Sequence, residues 1–502
     1  MNVRREFGDF QTPLPLAEEV VALLDSLSGA PDFVVEPTAG LGSFLQAACK
    51  RWGRACICRG YEIDKEYVRR ANASLAGSGA AVERQDFFRA DWKRILATHA
   101  VGRTLILGNP PWVTNAELGA LGSANLPPKS NFQGLRGFDA RTGKSNFDIA
   151  ECMLIRLIET MPGHASLGML CKSATARRVL CHFWKTRGGV CDASLYSIDA
   201  KAHFGVSVES CLLFLRGAAS SSTTATVHAG LRCRDAVGEF GLVDGQLVSD
   251  VSAYLASRDF SGSSPYIWRS GVKHDASRVM EFTLANGCLR NGLGGTVVLE
   301  PDYVYPLLKS SDVGNGRVEP RRAVLVTQKN IGDATEPIRD KAPKTWQYLE
   351  AHAAALDGRS SSVYRNRPRY SMFGVGVYSF APWKVAISGM YKSFRFVVVP
   401  PASGRPVMLD DTCYFIPCRG REEARLICDL LNSDAATTLL RTLVFEDAKR
   451  PVTTDVLRRI SLPALAGKEG RLREFAHLAA YAEFTEAKQP QMSLFMGKGD
   501  LC

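Results

Sequence analysis

The stretch Leu105-Ile106-Leu107-Gly108-Asn109-Pro110-Pro111-Trp112 decides how this chain is read. An unbroken apolar run stops abruptly at a polar turn that an aromatic ring closes. Such a run reads as a buried strand. The paired prolines fix the backbone and remove two amide donors, so the Pro110 carbonyl cannot join a regular ladder. The Asn109 side-chain oxygen and the Pro110 carbonyl are then two acceptors for one planar amino group, and Trp112 can stack on its ring. The exocyclic amine of a nucleobase is such a group, and the motif suits methylation of an amino nitrogen. Taken alone, an Asn-Pro-Pro turn after a strand is equally a simple chain reversal.

The residues upstream separate the two readings. Val34-Val35-Glu36-Pro37-Thr38-Ala39-Gly40-Leu41-Gly42-Ser43-Phe44-Leu45 gives a strand, an acidic turn, a glycine pair and a helix start. Ala39, Gly40 and Gly42 would let the backbone approach a ligand closely. The pattern is not the dinucleotide Gly-x-Gly-x-x-Gly, because position 45 is Leu, and no Gly-Lys-Ser/Thr follows to make a P-loop. Glu36 would repel a pyrophosphate but suits a ligand with an ammonium and a sulfonium, and S-adenosylmethionine carries both. Glu62, in Gly60-Tyr61-Glu62-Ile63-Asp64, lies about 20 residues past the glycine turn, where an acidic side chain accepts from ribose hydroxyls. In Arg84-Gln85-Asp86-Phe87-Phe88, Asp86 offers a carboxylate to the adenine amino group and Phe87 an aromatic face to its ring. Any one of these carboxylates can be a helix cap or a surface charge. All three at successive strand ends, followed by the Asn-Pro-Pro-Trp turn, describe a binding cleft, since ligands of such sheets lie beyond the carboxyl ends of the strands.

Helical and strand patterns alternate from Pro15 to Leu215, which implies a parallel-rich α/β sheet covered on both faces. The small polar run Gly217-Ala218-Ala219-Ser220-Ser221-Ser222-Thr223-Thr224 reads as a connector, and beyond it the rhythm is lost. Two domains are expected, residues 1–235 and 236–502. Composition agrees: 502 residues exceed one ordinary core, and 46% hydrophobic with 23% charged residues fits a globular chain. No apolar run spans a bilayer and the first residues lack a secretory core, so no membrane partner and a cytoplasmic location are expected. The 14 cysteines are scattered in apolar segments without Cys-x-x-Cys pairs, which predicts reduced thiols and no metal site. A net charge of +11 permits a polyanionic partner without requiring one.

The order of these motifs resembles the gamma-class amino-methyltransferases of bacterial restriction–modification systems, the Taq-type N6-adenine DNA methyltransferases. The resemblance covers roughly residues 7–216. It implies a class I S-adenosylmethionine-dependent (Rossmann-like) catalytic domain, followed by a mixed α+β target-recognition domain. It also implies double-stranded DNA as partner and a cognate restriction endonuclease as a possible second one. Phe10-Gln11-Thr12-Pro13 resembles the family's N-terminal cofactor motif, so Thr12 would touch the methionine part of the cofactor. Phe204 would cover the second face, or the edge, of a base stacked on Trp112; its plain alternative is a core aromatic.

The implied chemistry needs geometry more than reactive side chains. An adenine N6 lone pair is delocalised into its ring. Two acceptors holding both N–H groups out of plane would redirect that lone pair at a methyl group, with Pro111 stiffening the turn. The target amine cannot be reached inside a duplex, so the base would be flipped. The long segment between Trp112 and Asp148 reads as a lid bearing Lys129 and Lys144, and Asp148 either seats the cofactor amine or caps a helix. Arg321, Arg322, Arg365, Arg367, Arg369, Lys449 and Arg450 would meet phosphates or guanine edges; a solvated strand face is the plain alternative. Glutamine side chains of proteins, cytosine N4 and RNA stay open as methyl acceptors. So does a non-catalytic DNA-binding subunit, although the intact Asn109-Pro110-Pro111-Trp112 turn opposes it. The nuclease-like Asp447-Ala448-Lys449 has no acidic partner shortly upstream and reads as chance.

Overall fold

A computed structural model describes residues 10–98, 102–113, 148–189, 192–217, 222–285 and 287–479. They gather into two compact units, one up to Ser252 and one from Ala253 onward.

The first unit opens with α1 (Leu14–Ser28), which sends Leu16, Val20 and Leu24 into the core. There follow β1 (Phe33–Glu36), α2 (Ser43–Trp52), β2 (Ile57–Glu62), α3 (Lys65–Ser74), β3 (Ala81–Arg84), α4 (Trp92–Ala97) and β4 (Thr104–Gly108). Next come α5 (Ile149–Thr160), β5 (Ser166–Lys172), α6 (Ser173–Arg187), β6 (Ala193–Ile198), α7 (Ala200–Phe204) and β7 (Ser210–Arg216). Strands β8 (Thr224–His228), β9 (Ala236–Val243) and β10 (Gln246–Val248) complete the unit's sheet.

The sheet runs β10-β9-β8-β6-β7-β5-β4-β1-β2-β3. From β3 through β5 all neighbours are parallel, and β7 runs antiparallel between β5 and β6. Every residue of β1 and β4 is buried, as strands covered on both faces must be. Chain order reverses between these two strands, which sets a ligand crevice beyond Glu36 and Gly108. Strand β3 gives no comparable signal in the sequence, because only Val82 of its four residues is buried.

The division expected at 235/236 falls inside the β8–β9 hairpin, whereas the compact units part at 252/253. Of the expected connector, residues 218–221 lie outside the described residues. One expectation about thiols needs correcting. Cys181 is disulfide-bonded, while the other described cysteines are free.

The second unit is built on β11 (Arg269–Ser270), β12 (Glu281–Ala285), β13 (Cys288–Asn291), β14 (Thr296–Val297), β15 (Val304–Leu308) and β16 (Arg322–Leu325). It continues with α8 (Pro343–Ala351), β17 (Trp383–Ser388), β18 (Val397–Val399), β19 (Met408–Leu409), β20 (Cys413–Cys418) and α9 (Arg421–Leu431). One sheet is ordered β14-β13-β12-β16-β15-β19 and the other β11-β20-β17-β18. Among the described residues no helix is long and apolar enough to cross a membrane.

Gly60 in β2 shows how tightly the first core closes beneath the crevice. A Cβ there would lie 2.7 Å from Leu45 Cδ1 and 2.9 Å from Ala39 Cβ. Gly60→Ala should therefore destabilise the fold by about 1–3 kcal/mol through overpacking. Urea denaturation measures this, and an unchanged midpoint would show that the core can yield.

Candidate active site

The turns after β1, β2, β3 and β4 leave the same edge of the sheet and meet at one cleft of about 1110 Å³, open mouth included. Of the residues singled out in the sequence, Thr12, Glu36, Ala39, Gly40, Glu62, Asp86, Phe87, Asn109 and Pro111 line it. Phe10, Gln11, Ile63, Phe88, Ile149 and Met153 line it as well. Gly42, Pro110, Trp112 and Phe204 do not.

Asn109 is fixed by the segment that precedes α1. Its Nδ2 donates to the Phe10 carbonyl at 3.0 Å and to Thr12 Oγ1 at 3.3 Å. A carbonyl can only accept, so the amide NH2 must face Phe10 and Oδ1 must face away. Oδ1 is buried and has no partner among the described residues. A buried acceptor without a donor costs about 1–3 kcal/mol, which a bound amine would return.

Glu36 is 2% exposed, and among the described residues its Oε2 also lacks a partner. Burial pushes this carboxyl well above the ordinary carboxylate range, a hydrogen bond from the Leu45 backbone opposes the shift, and Glu62 adds to it. Burial raises Glu62 too, against hydrogen bonds from the backbone at Asp64, Gly40 and Ile63. Its Oε2 accepts from Gly40 N at 2.9 Å and its Oε1 from Asp64 N at 2.8 Å, so the ends of β1 and β2 are tied through one side chain.

The two glycines divide the work of the turn. Gly40 has φ 52°, and a Cβ on it would meet Gln11 Oε1 at 2.5 Å, the same atom that accepts from Leu41 N at 2.9 Å. Gly42, at φ 81°, starts α2 and passes close to Ala71 of α3. Gly40 thus faces the cleft, while Gly42 serves the turn and the helix packing. The sequence gives Gln11 no role beyond its place in the Phe10-Gln11-Thr12-Pro13 motif. Its signal is visible only once Gly40 is placed beside it.

At the far end Asp86 Oδ1 accepts from Phe88 N at 2.8 Å, which leaves Oδ2 beside the mostly exposed Arg89 at 3.5 Å. The Phe87 ring is packed on Trp92 at 4.9 Å and meets Phe88 edge-on at 5.4 Å. The adjacent phenylalanines share the wall, where the sequence reading named only the first.

Trp112 packs against Phe204 at 5.2 Å with the rings inclined by 72°, and Phe10 touches both, at 5.7 and 5.9 Å. Edge-to-face contact leaves no slot for a planar ring between Trp112 and Phe204. Only Phe10 of the three reaches the cleft. Asp148 caps α5 by accepting from Ala150 N at 3.1 Å and pairs with Lys172 at 2.8 Å, so helix capping accounts for it. Lys129 and Lys144 lie outside the described residues.

The residues fit S-adenosylmethionine on chemical grounds. A buried Glu36 carboxyl oxygen without a partner among the described residues is placed to pair with a cation, a strand-end acid stands at Glu62, and the backbone at Gly40 is open to close approach. Fold and cleft together define a class I S-adenosylmethionine-dependent methyltransferase, with that cofactor as its methyl donor. No protein-family model matches the chain. It is 41% identical over 472 residues to the Type II methyltransferase M.NspV of Nostoc sp. (strain ATCC 29411 / PCC 7524), covering 93% of this chain and 98% of that relative. A local match, 28% over 112 residues, joins 22% of the chain to 21% of the Type II methyltransferase M.XamI of Xanthomonas campestris pv. amaranthicola. Among solved structures, the type IIL restriction-modification enzyme MmeI in complex with DNA superimposes with a TM-score of 0.52 at 14% identity. That alignment covers 91% of this chain and 66% of MmeI and shows the shared fold. The chain belongs to the type II methyltransferases of restriction–modification systems.

Glu36 makes stability depend on pH in a defined direction. Its folded-state carboxyl titrates above the unfolded one, so its contribution is complete below the ordinary carboxylate range and is lost as pH rises through the raised value. The cofactor-free protein should weaken over that rise, and Glu36→Gln should flatten the decline. Thermal melting across pH checks this; an identical decline in the variant would mean that Glu36 ionises without penalty.

Proposed function

We propose that the protein methylates N6 of an adenine flipped out of double-stranded DNA, as the gamma-class modification enzyme of a restriction–modification system paired with a cognate endonuclease. The observation that carries this reading is the anchored Asn109 amide, whose oxygen is buried and turned away from its anchors without a donor. The gamma-class order of motifs, with Phe10 to Pro13 ahead of the glycine turn, supports it. DNA as substrate is supported by membership of the family, by the MmeI structure's having been solved with DNA, and by the net charge of +11.

When bound, S-adenosylmethionine supplies a methyl group on a sulfonium that departs as a neutral thioether. Glu36 receives its cationic amino acid end, Thr12 touches that end as well, and Ala39 and Gly40 admit the ligand to the backbone. Glu62 accepts from the ribose, and Asp86 Oδ2 accepts from the adenine amine beside Phe87 and Phe88. Asn109 Oδ1 and the Pro110 carbonyl accept the two N–H groups of the target amine. They pull it out of conjugation and meet the positive charge that grows on nitrogen during transfer. Pro110 and Pro111 hold both acceptors at fixed φ. Stacking the flipped base on Trp112 requires Phe10 or Phe204 to swing aside, so base entry and ring rearrangement are one event. The second unit carries target recognition.

Asn109→Ala should lose at least about 10²-fold in methyl transfer, far beyond any loss of S-adenosylmethionine affinity that loosening the Phe10 anchor brings. Digestion of treated DNA to nucleosides and mass spectrometry reads the product. N6-methyladenine absent from the variant supports acceptor and mechanism together, N4-methylcytosine would correct the base, and full activity of the variant would sink the mechanism.

A further inference from the structure

The sequence offers Arg365, Arg367 and Arg369 as equivalent basic points; the structure separates them and adds Arg359 beside them. Arg359 lies on the Tyr364 ring at 3.8 Å and donates to the carbonyls of Leu356, His274 and Ser371. Arg369 is paired with Asp357 at 2.6 Å and stacks on Tyr370. Both are consumed in holding the loop. Arg365 and Arg367 make no side-chain hydrogen bond or ion pair among the described residues, and Arg367 rests over the Phe373 ring at 5.9 Å.

The loop between them is held in an unfavourable backbone. Asn366 at the tip has φ 58°, which asparagine tolerates, but Tyr370 at its base has φ 63°, which a bulky aromatic rarely adopts. The surroundings enforce it. Tyr370 is 1% exposed and edge-on to Trp346, its carbonyl accepts from Thr327 Oγ1 at 2.8 Å, and the Arg369 carbonyl accepts from Thr335 Oγ1. Buried Gln328 accepts from Met372 N at 2.8 Å and donates to the Asp333 carbonyl, which clamps the neighbouring Lys329–Asp333 turn to the same loop. Lys329 is exposed at that turn and unpaired among the described residues. Strain that neighbours over-determine in this way collects where a loop must present groups rigidly.

We propose that the Tyr364–Tyr370 loop is a base-reading element. Arg365 and Arg367 fork onto guanine edges in the major groove, Lys329 meets a phosphate, and the recognised site therefore contains G·C pairs. An unpaired guanidinium suits the O6 and N7 acceptors of guanine, and a rigid mount lowers the entropy lost on binding. The inference rests on DNA being the substrate.

The test maps methylated positions across genomic DNA exposed to the full-length protein and its variants. Arg365→Ala and Arg367→Ala should each relax the methylated sequence at one G·C position, with discrimination there falling roughly 10- to 100-fold. Arg365→Lys and Arg367→Lys, which keep charge and lose the fork, should relax it too. Lys329→Ala should lower methylation at all sites alike and reduce the salt slope of DNA binding by about one. Melting temperatures identify any misfolded variant, for which the lysine substitution stands in. An unchanged methylated sequence in the Arg365 and Arg367 variants, or a loss uniform over all sequences, overturns the proposal. A parent protein that binds S-adenosylmethionine but methylates no DNA overturns instead the reading on which it rests.

Discussion

The bond from Asn109 Nδ2 to the Phe10 carbonyl is the contact on which the rest of the cleft depends. It joins residues 99 positions apart and does three things at once. It fixes which way the amide points, docks the segment leading into α1 across the end of β4, and brings Gln11 within reach of the glycine turn. Through Gln11 the constraint passes to Leu41, and through Gly40 to Glu62, so the ends of β4, β1 and β2 are connected by side chains whose only common feature is their place at a strand terminus. A parallel sheet makes this possible, because all four termini emerge at one edge while the helices occupy both faces.

What could be read from the sequence follows from the same geometry. Strands β1 and β4 are buried on both faces, so they appear as unbroken apolar runs, and polar residues at their ends stand out. The acids and the Asn-Pro-Pro turn were legible for that reason. Residues that act through shape were not. Gln11 gains its part only from the closeness of Gly40, and Phe88 only from Phe87 being already packed on Trp92. The spacing of a glycine pair carries no information on which member faces the ligand; in the fold Gly40 lines the cleft and Gly42 lies against Ala71. β9 and β10 were placed beyond the first domain because the βα rhythm had already ended, yet edge strands of a mixed sheet can be added by hairpins alone.

The aromatic cluster departs furthest from a reading by motif. Trp112 follows the Asn-Pro-Pro turn, which suggests a platform facing the ligand, but in the protein it is 5% exposed and edge-on to Phe204. Its indole Nε1 is buried without an acceptor among the described residues. Three rings in mutual contact shield one another and bury apolar area. That packing favours a closed cluster as long as no base competes for it.

Both elements on which the proposed reaction relies therefore share a thermodynamic signature. Among the described residues, buried side-chain polar atoms without a partner include Glu36 Oε2, Asn109 Oδ1 and Trp112 Nε1 around the cleft, and the Tyr370 and Ser371 hydroxyls at the base of the arginine-bearing loop. Native interiors rarely tolerate such atoms, and each one lowers the stability of the free protein. Glu36 and Asn109 line the cleft, whereas Thr104 Oγ1 and Trp184 Nε1 lack partners among the described residues without lining it. For the two in the cleft, a group that lacks a partner before the encounter needs no rearrangement to gain one, so the cost met during folding becomes selectivity for a ligand with matching donors.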